Sequence, residues 1–272
     1  MPLSTSRQLS LLLLATLMGS GLFEPWPSAG QTLDVASVQA APQARIVPPS
    51  PSYQFPNGKK FVYTVEWHSL TAGMATMQFD SEGTGEKLTA RATSSGAVNF
   101  LYPVHSWFNA SIDPKTFCTT QLFKHSEEGK RKREIKIQVD PARAKSVLDE
   151  KNLKNGETRH EEDDSPTCAT DILSGFFYLG SRPLLASSDE LLPVVDGGKP
   201  TVVRARVESQ EEIDVPGGNF HTTRVLLDPI NGKFEGKGQI WVWYSNDAHI
   251  PIQMKAKLQW GTVMFKLQRI EN

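Results

Sequence analysis

From Lys59 onward, apolar and polar residues alternate with a period close to two. Phe61, Tyr63, Val65 and Trp67 alternate with Val62, Thr64, Glu66 and His68, and after Thr71-Ala72-Gly73 the residues Ala75, Met77 and Phe79 alternate with Thr76, Gln78 and Asp80. A strand over 87–93 follows the turn Gly83-Thr84-Gly85. Ile135, Ile137 and Val139 repeat the pattern, as do Val203, Ala205 and Val207. A last hairpin sets Ile252, Met254, Ala256 and Leu258 against Val263, Phe265 and Leu267 across Trp260-Gly261. Turn signals fall between these runs at Asn57-Gly58, Asn155-Gly156, Gly197-Gly198, Gly217-Gly218 and Asn231-Gly232. Side chains two apart share a sheet face, so this pattern predicts antiparallel strands with one face buried.

One segment departs from the period of two. Ser165-Pro166 reads as a helix N-cap followed by proline at the first helical position. Ile172, Leu173, Phe176, Phe177 and Leu179 then fall at helical spacing, and Gly180 fits the residue just beyond a helix end. Gly175 weakens the helix by about 1 kcal/mol of propensity. The pattern predicts a helix over 166–180 that closes one side or end of the sheet. No fixed-period repeat runs through the chain, which argues against a propeller or solenoid. The fold expected is mainly β: a single large curved antiparallel sheet or half-open barrel with one short helix.

The N-terminus has a different character. Arg7 precedes an apolar run from Leu9 to Phe23, a basic segment followed by a short hydrophobic one, as in a secretory signal peptide. Ser28-Ala29-Gly30 and Val38-Gln39-Ala40 offer small residues for cleavage. The run is short for a membrane-spanning helix and holds Gly19 and Gly21; an uncleaved anchor is the alternative reading. Pro42, Pro48, Pro49, Pro51 and Pro56 then disfavour helix and central strand. The organisation expected is a signal peptide over 1–30, a Pro/Ala-rich linker over 31–58 and an antiparallel β domain over 59–272. Cleavage would leave no integral membrane span and a periplasmic or secreted protein.

Export changes the meaning of the two cysteines. Cys118 and Cys168 would be two buried thiols in a reducing cytosol, but an even count in an exported chain makes a disulfide available. There is no CxxC, so neither a redox motif nor a zinc ribbon is indicated.

The 272 residues carry 29 Lys+Arg against 30 Asp+Glu, a net charge of −1. That balance argues against a nucleic-acid partner, which needs a surplus of cations. Thirteen Phe and 6 Trp supply a sizeable core and exclude global disorder. No HExxH, GxSxG, P-loop or dinucleotide fingerprint occurs, so no catalytic residue, metal site or cofactor is assigned. His160-Glu161-Glu162-Asp163-Asp164 reads as a solvated acidic loop rather than a Ca²⁺ site. Lys130-Arg131-Lys132-Arg133 reads as a strand start whose charges deter edge pairing, with contact to anionic lipid or polysaccharide as the alternative.

Trp241, Trp243, Tyr244, Asp247 and His249 form the densest aromatic and ionisable group. Trp243 is nearer the Ser245-Asn246-Asp247 turn and is expected to be the more exposed tryptophan. Asp247 and His249, with Asp171, are the only grouping that resembles an acid–base set, and no activated nucleophile accompanies them.

Several pieces occur in a telling order. Thr170-Asp171-Ile172-Leu173-Ser174-Gly175-Phe176-Phe177-Tyr178-Leu179 precedes Val215-Pro216-Gly217-Gly218-Asn219-Phe220 and Arg224-Val225. Gly238-Gln239-Ile240-Trp241-Val242-Trp243-Tyr244-Ser245-Asn246-Asp247, Ile250-Pro251-Ile252 and a closing strand from Gly261 follow. Over roughly residues 55–271 this order resembles the bacterial exported family called domain of unknown function 3108. Asn219 departs from the family pattern, which usually has Thr there. Gly180-Ser181-Arg182 also departs from it, since an Arg closer to the helix is expected. The resemblance implies a β-rich exported protein and no established activity.

The function expected is a non-catalytic envelope protein that binds a lipid or other apolar envelope ligand. The alternatives are an assembly factor that binds other envelope proteins through a sheet edge and, less favoured, a hydrolase. The helix has more apolar bulk than one buried stripe requires, and adjacent Phe177 and Tyr178 point about 100° apart. An apolar cleft between helix and sheet is therefore expected, with one of these two residues at its rim. Phe176, Phe177, Tyr178 and Trp243 are the expected ligand-binding residues.

Overall fold

The structure is a computed structural model, and it describes residues 43–272 apart from 198, 233, 234, 237, 259 and 260. The signal segment, the linker up to residue 42, Gly198 and Trp260 lie outside the described residues.

The strands are β1 (Lys60–Trp67), β2 (Leu70–Glu82), β3 (Gly85–Ser94), β4 (Val104–Ile112), β5 (Thr119–Glu128), β6 (Arg131–Asp140) and β7 (Lys145–Asn152). They continue with β8 (Thr158–Asp164), β9 (Asp189–Val194), β10 (Thr201–Val215), β11 (Gly218–Pro229), β12 (Gln239–Ser245), β13 (Pro251–Leu258) and β14 (Gly261–Glu271). Two helices are described: α1 (Gly96–Leu101), between β3 and β4, and α2 (Ile172–Gly180), between β8 and β9. Only one was expected; α1 has six residues, none of them buried, and so no apolar stripe for a sequence pattern to register.

All fourteen strands belong to one sheet in the order β8-β7-β6-β5-β4-β3-β2-β1-β14-β13-β12-β11-β10-β9. Every neighbouring pair is antiparallel, and β1 pairs with β14, so the first and last strands meet in the middle of the sheet. The last hairpin has the expected partners, Met254 opposite Phe265 and Ala256 opposite Val263. The sheet is not closed, and β8 and β9 are its edges. This is the expected large antiparallel sheet.

The sheet's core face holds Phe61, Phe79, Leu88, Ile112, Leu122, Ile137 and Leu267 in one cluster with Phe176, Phe177, Tyr178 and Leu179 of α2. Phe177 lies between Phe61 and Phe79, with ring centroids 5.6 and 4.6 Å away. The Tyr178 ring meets Phe117 edge-on at 5.6 Å. Tyr244 donates its hydroxyl hydrogen to the Phe176 carbonyl (2.8 Å), and Tyr63 does the same to Pro251 (2.9 Å). Burial pushes both phenols far above their usual pKa. The surplus apolar bulk of α2 is therefore core: a helix apolar all round is a helix buried all round. Neither Phe177 nor Tyr178 lies at a rim, a correction to the sequence reading.

The helix also starts later than Ser165-Pro166. Its N-cap is Asp171, whose carboxylate accepts from the backbone N–H of Leu173 (3.0 Å) and Ser174 (2.9 Å). The preceding backbone is engaged elsewhere. Ser165 N–H donates to Ala144, Thr119 N–H to the Ala169 carbonyl, Thr170 N–H to Pro193, and Val195 N–H to the Thr170 carbonyl. Residues 165–170 thus join β9 to the β5 and β7 side of the sheet, and their backbone groups are not free to open a helix. Cys118 and Cys168 are joined in a disulfide at the same place, with Cα atoms 5.1 Å apart. Gly180 is the last helical residue and has no left-handed conformation. It has no side chain because a Cβ there would collide with the His249 carbonyl.

The segment before β1 is extended and docked. Arg45 N–H donates to Leu191, Val47 N–H donates to the Tyr178 hydroxyl (3.1 Å), and the Tyr53 and Phe55 rings pack against Phe117.

Candidate functional site

Because the sheet is antiparallel throughout, alternate connections emerge at the same rim. One rim carries the β1–β2 turn, α1, the β5–β6 and β7–β8 turns, the end of β9, and the β11–β12 and β13–β14 connections. A pocket of about 230 Å³ lies beside the first residue of α2. Its apolar wall is made by Ile172 of α2, Val194 at the end of β9, Val203 of β10, Leu227 of β11 and Ile240 of β12. These are core-facing positions: Val203 and Ala205 alternate inward along β10, and Leu227 pairs with Ile240 across β11 and β12. Thr201, Lys199 and Lys257 line its mouth with Gly197 and Gly238, and both lysines are exposed. A narrow apolar recess continues inward along α2 past Gly175 and Leu179.

Asp196 is the one acidic group among the described lining residues. Burial pushes its carboxyl above the usual range, and the Lys124 ammonium opposes that shift. Lys124 donates to the Asp196 carbonyl oxygen (2.8 Å) and pairs with its carboxylate, while lying 5.6 Å from the centre of the Phe108 ring. Asp196 is thus held to the β5 side of the sheet.

The apolar bulk of α2 does not line this pocket: of the helix only Ile172 is in its wall, and the residues proposed for a cleft lie elsewhere. Phe176, Phe177 and Tyr178 are core residues beyond its wall. Trp243 is distant in role as well. Val242 and Tyr244 belong to the core cluster, whereas Trp241 and Trp243 face the other side of the sheet. There Trp243 is buried and donates its indole N–H to Glu211 (3.0 Å), with Arg224 as its cross-strand neighbour. Trp241 is the half-exposed one, under the Lys255 ammonium at 5.5 Å. The expected order of exposure is reversed, because the covering partners are cross-strand neighbours and not the adjacent turn.

The remaining candidates do not assemble. Asp247 and His249 lie exposed in the turn between β12 and β13. The His249 carbonyl abuts the C-terminal end of α2, and Asp171 caps the N-terminal end, with a nine-residue helix between them. That separates Asp171 from His249 by roughly 13 Å of helix rise. Asp171 accepts a further bond from the Thr119 hydroxyl (2.8 Å), so its role is to hold the helix start.

The acidic run 160–164 is strand β8 and not a loop, a further correction. Its backbone pairs with β7, and His160, Glu162 and Asp164 meet Asp149, Arg143 and Lys145. The charges compensate one another across strands, which a linear reading of like-charged neighbours misses. Among the described residues no cluster of His, Cys, Asp and Glu could hold a metal ion.

The family model described as protein of unknown function, DUF3108, matches residues 62–268. The chain belongs to the DUF3108 family. Within that match lie the pocket wall, α2 and the whole sheet except residues 60–61 of β1 and 269–271 of β14. Among solved structures, this DUF3108 protein is similar to a β-barrel-like protein of domain of unknown function DUF1849 from Brucella abortus. That likeness has 11% identity and a TM-score of 0.56, over 84% of this chain and 99% of the other. It concerns the fold alone.

Looser overlaps link the chain to an inferred exported protein with a YmcC-like fold from Bacteroides fragilis (8% identity, TM-score 0.30, 85% of this chain and 100% of the other). Another is an inferred lipoprotein from Parabacteroides distasonis (10%, 0.34, 84% and 100%). Neither of these two bears on the argument. No curated protein matches the chain.

Proposed function

We propose that this DUF3108 protein is a non-catalytic binding protein of the bacterial envelope, and that it takes an apolar group into the pocket beside Ile172. The single observation that carries this reading is the apolar wall of Ile172, Val194, Val203, Leu227 and Ile240 opening to solvent at a lysine-bearing mouth. Pockets for drug-sized ligands span about 300–1,000 Å³. At about 230 Å³ this one suits an acyl-chain end or a single ring, not an entire lipid. Lys199 and Lys257 then meet the polar or anionic end of an amphiphile that stays outside.

Export is supported by the basic and apolar N-terminal segment and by the Cys118–Cys168 bridge, which persists only in an oxidising compartment. No described helix is long and apolar enough to cross a membrane. The alternative of edge-to-edge assembly is weakened by the edges themselves. β8 presents a charged run, and the end of β9 is paired with Thr170 and its Leu191 carbonyl with Arg45 N–H.

Native mass spectrometry of the chain isolated from its own envelope, with organic extraction of whatever it carries, tests the reading. An apolar or amphiphilic species released in stoichiometric amount is expected. A preparation that contains the bare chain alone contradicts it.

A further inference from the structure

We propose that the rim carrying α1 and the β5–β6 turn docks on the surface of an anionic lipid bilayer. The starting observation is a run of apolar side chains that the fold holds outside its core. Phe100, Leu101 and Tyr102 are consecutive, and the first two are 89% and 73% exposed. Leu70, which opens β2 at the same rim, is 65% exposed. Single exposed apolar residues need no explanation, but a contiguous group at one tip does.

The group is held in place. Ser95 N–H donates to the Ala72 carbonyl (2.9 Å), Ser94 binds Asn99 and the Val104 N–H, and Tyr102 N–H closes the helix on Val98 (2.7 Å). Gly129 N–H then donates to the Pro103 carbonyl (2.8 Å). The Tyr102 ring lies so close to Gly129 that a Cβ there would come within 2.6 Å of it. Gly129 also has a φ of 57°, so the turn that carries Lys130 and Arg131 is fixed against the apolar tip.

Charge supplies the second, independent line. Lys132 and Arg133 pair with Glu127 and Glu150, whereas Lys130 and Arg131, both exposed, have no carboxylate partner among the described residues. Lys154 extends the basic edge in the β7–β8 turn, which is tied to β6 by Leu153 N–H donating to Lys132 (2.9 Å).

Apolar tips flanked by lysine and arginine match the interface of a bilayer with anionic headgroups: the apolar groups enter the headgroup boundary and the cations face the phosphates. Docking at this tip does not depend on the pocket being filled.

Hydrogen–deuterium exchange of the full chain tests the proposal locally, whatever the N-terminal segment does. Vesicles of phosphatidylglycerol and phosphatidylethanolamine are compared with vesicles of phosphatidylcholine. Protection confined to residues 96–104 and 128–132 is expected with the anionic vesicles, diminishing as salt is raised. Lys130→Glu with Arg131→Glu is expected to weaken that protection about tenfold or more in lipid concentration. Phe100→Asp, at a position too exposed to threaten folding, is expected to abolish it. Exchange at both segments unchanged by anionic vesicles overturns the proposal, whether or not the chain sediments with them. So does protection that survives both variants. Either outcome leaves the pocket reading standing, and an empty pocket leaves this one standing.

Discussion

Trp241 and Trp243 stand two apart on β12 and face the same side of the sheet, yet their surroundings differ. Trp243 is buried with its N–H bonded to Glu211, and Trp241 is half-exposed under Lys255. Trp243→Ala is expected to cost about 3 kcal/mol and Trp241→Ala clearly less, measured by urea unfolding. Trp243→Phe, which loses the indole hydrogen bond and the five-membered ring but keeps an aromatic ring, should cost about 1–2 kcal/mol, less than the alanine change. Their alternation was legible in the sequence. Their order of burial was not, because Glu211 and Arg224 come from the β10–β11 hairpin and only the fold brings them near.

Lys124 and Asp196 give a pH-dependent prediction at the same scale. The Asp196 carboxyl has its pKa raised by burial, with Lys124 opposing the shift. A raised carboxyl binds its proton more tightly in the folded chain, so its contribution to stability falls as pH rises through and above the usual carboxylate range. Lys124→Met removes the opposing cation and should raise that pKa further. The variant is expected to lose about 3 kcal/mol at neutral pH. Most of the loss should disappear on acidification below the ordinary carboxylate range, where Asp196 is neutral in both states. Unfolding midpoints of both proteins across pH check this. A deficit that does not shrink in acid would show that Lys124 contributes packing and not charge.

At the scale of elements, α2 depends on how its start is held. Asp171→Ala removes two capping bonds and the Thr119 contact, and about 2 kcal/mol of stability should go with them. The disulfide joins the same segment to the start of β5. Cys118→Ser with Cys168→Ser should cost about 2–4 kcal/mol in chemical denaturation, with the folded spectrum retained. The helix was legible from Ile172, Leu173, Phe176, Phe177 and Leu179, which fall at helical spacing. Its start was misread because Ser165-Pro166 is a good local cap signal outcompeted by long-range pairing of residues 165–170 with β5, β7 and β9. Strand β8 was misread for a related reason. Its acidic residues look like a solvated loop until Arg143 and Lys145 are placed opposite them.

At the scale of the molecule, the period of two announced a large antiparallel sheet, and the turn signals announced short connections. The strand order could not be read so directly, since pairing β1 with β14 joins residues more than two hundred positions apart. Nor could the pocket, whose wall takes one or two residues from each of five elements that are remote in sequence. The apolar excess of α2 was read as the lining of a cleft and is core instead. The helix is so well wrapped that Phe176, Phe177 and Tyr178 are core, and only Ile172 at its open end reaches the cavity.

The central claim is that this cavity holds an apolar group. Its most direct test is a fluorescence titration with an apolar naphthylamine dye, run on the native chain and on Ile240→Trp. That substitution fills the cavity from a half-buried residue of its wall. The account predicts saturable binding with about one dye per chain, competed by a fatty acid, and its loss in a variant that unfolds at nearly the same urea concentration. Dye binding of equal strength in the two folded proteins, or none above background in the native chain, would contradict it.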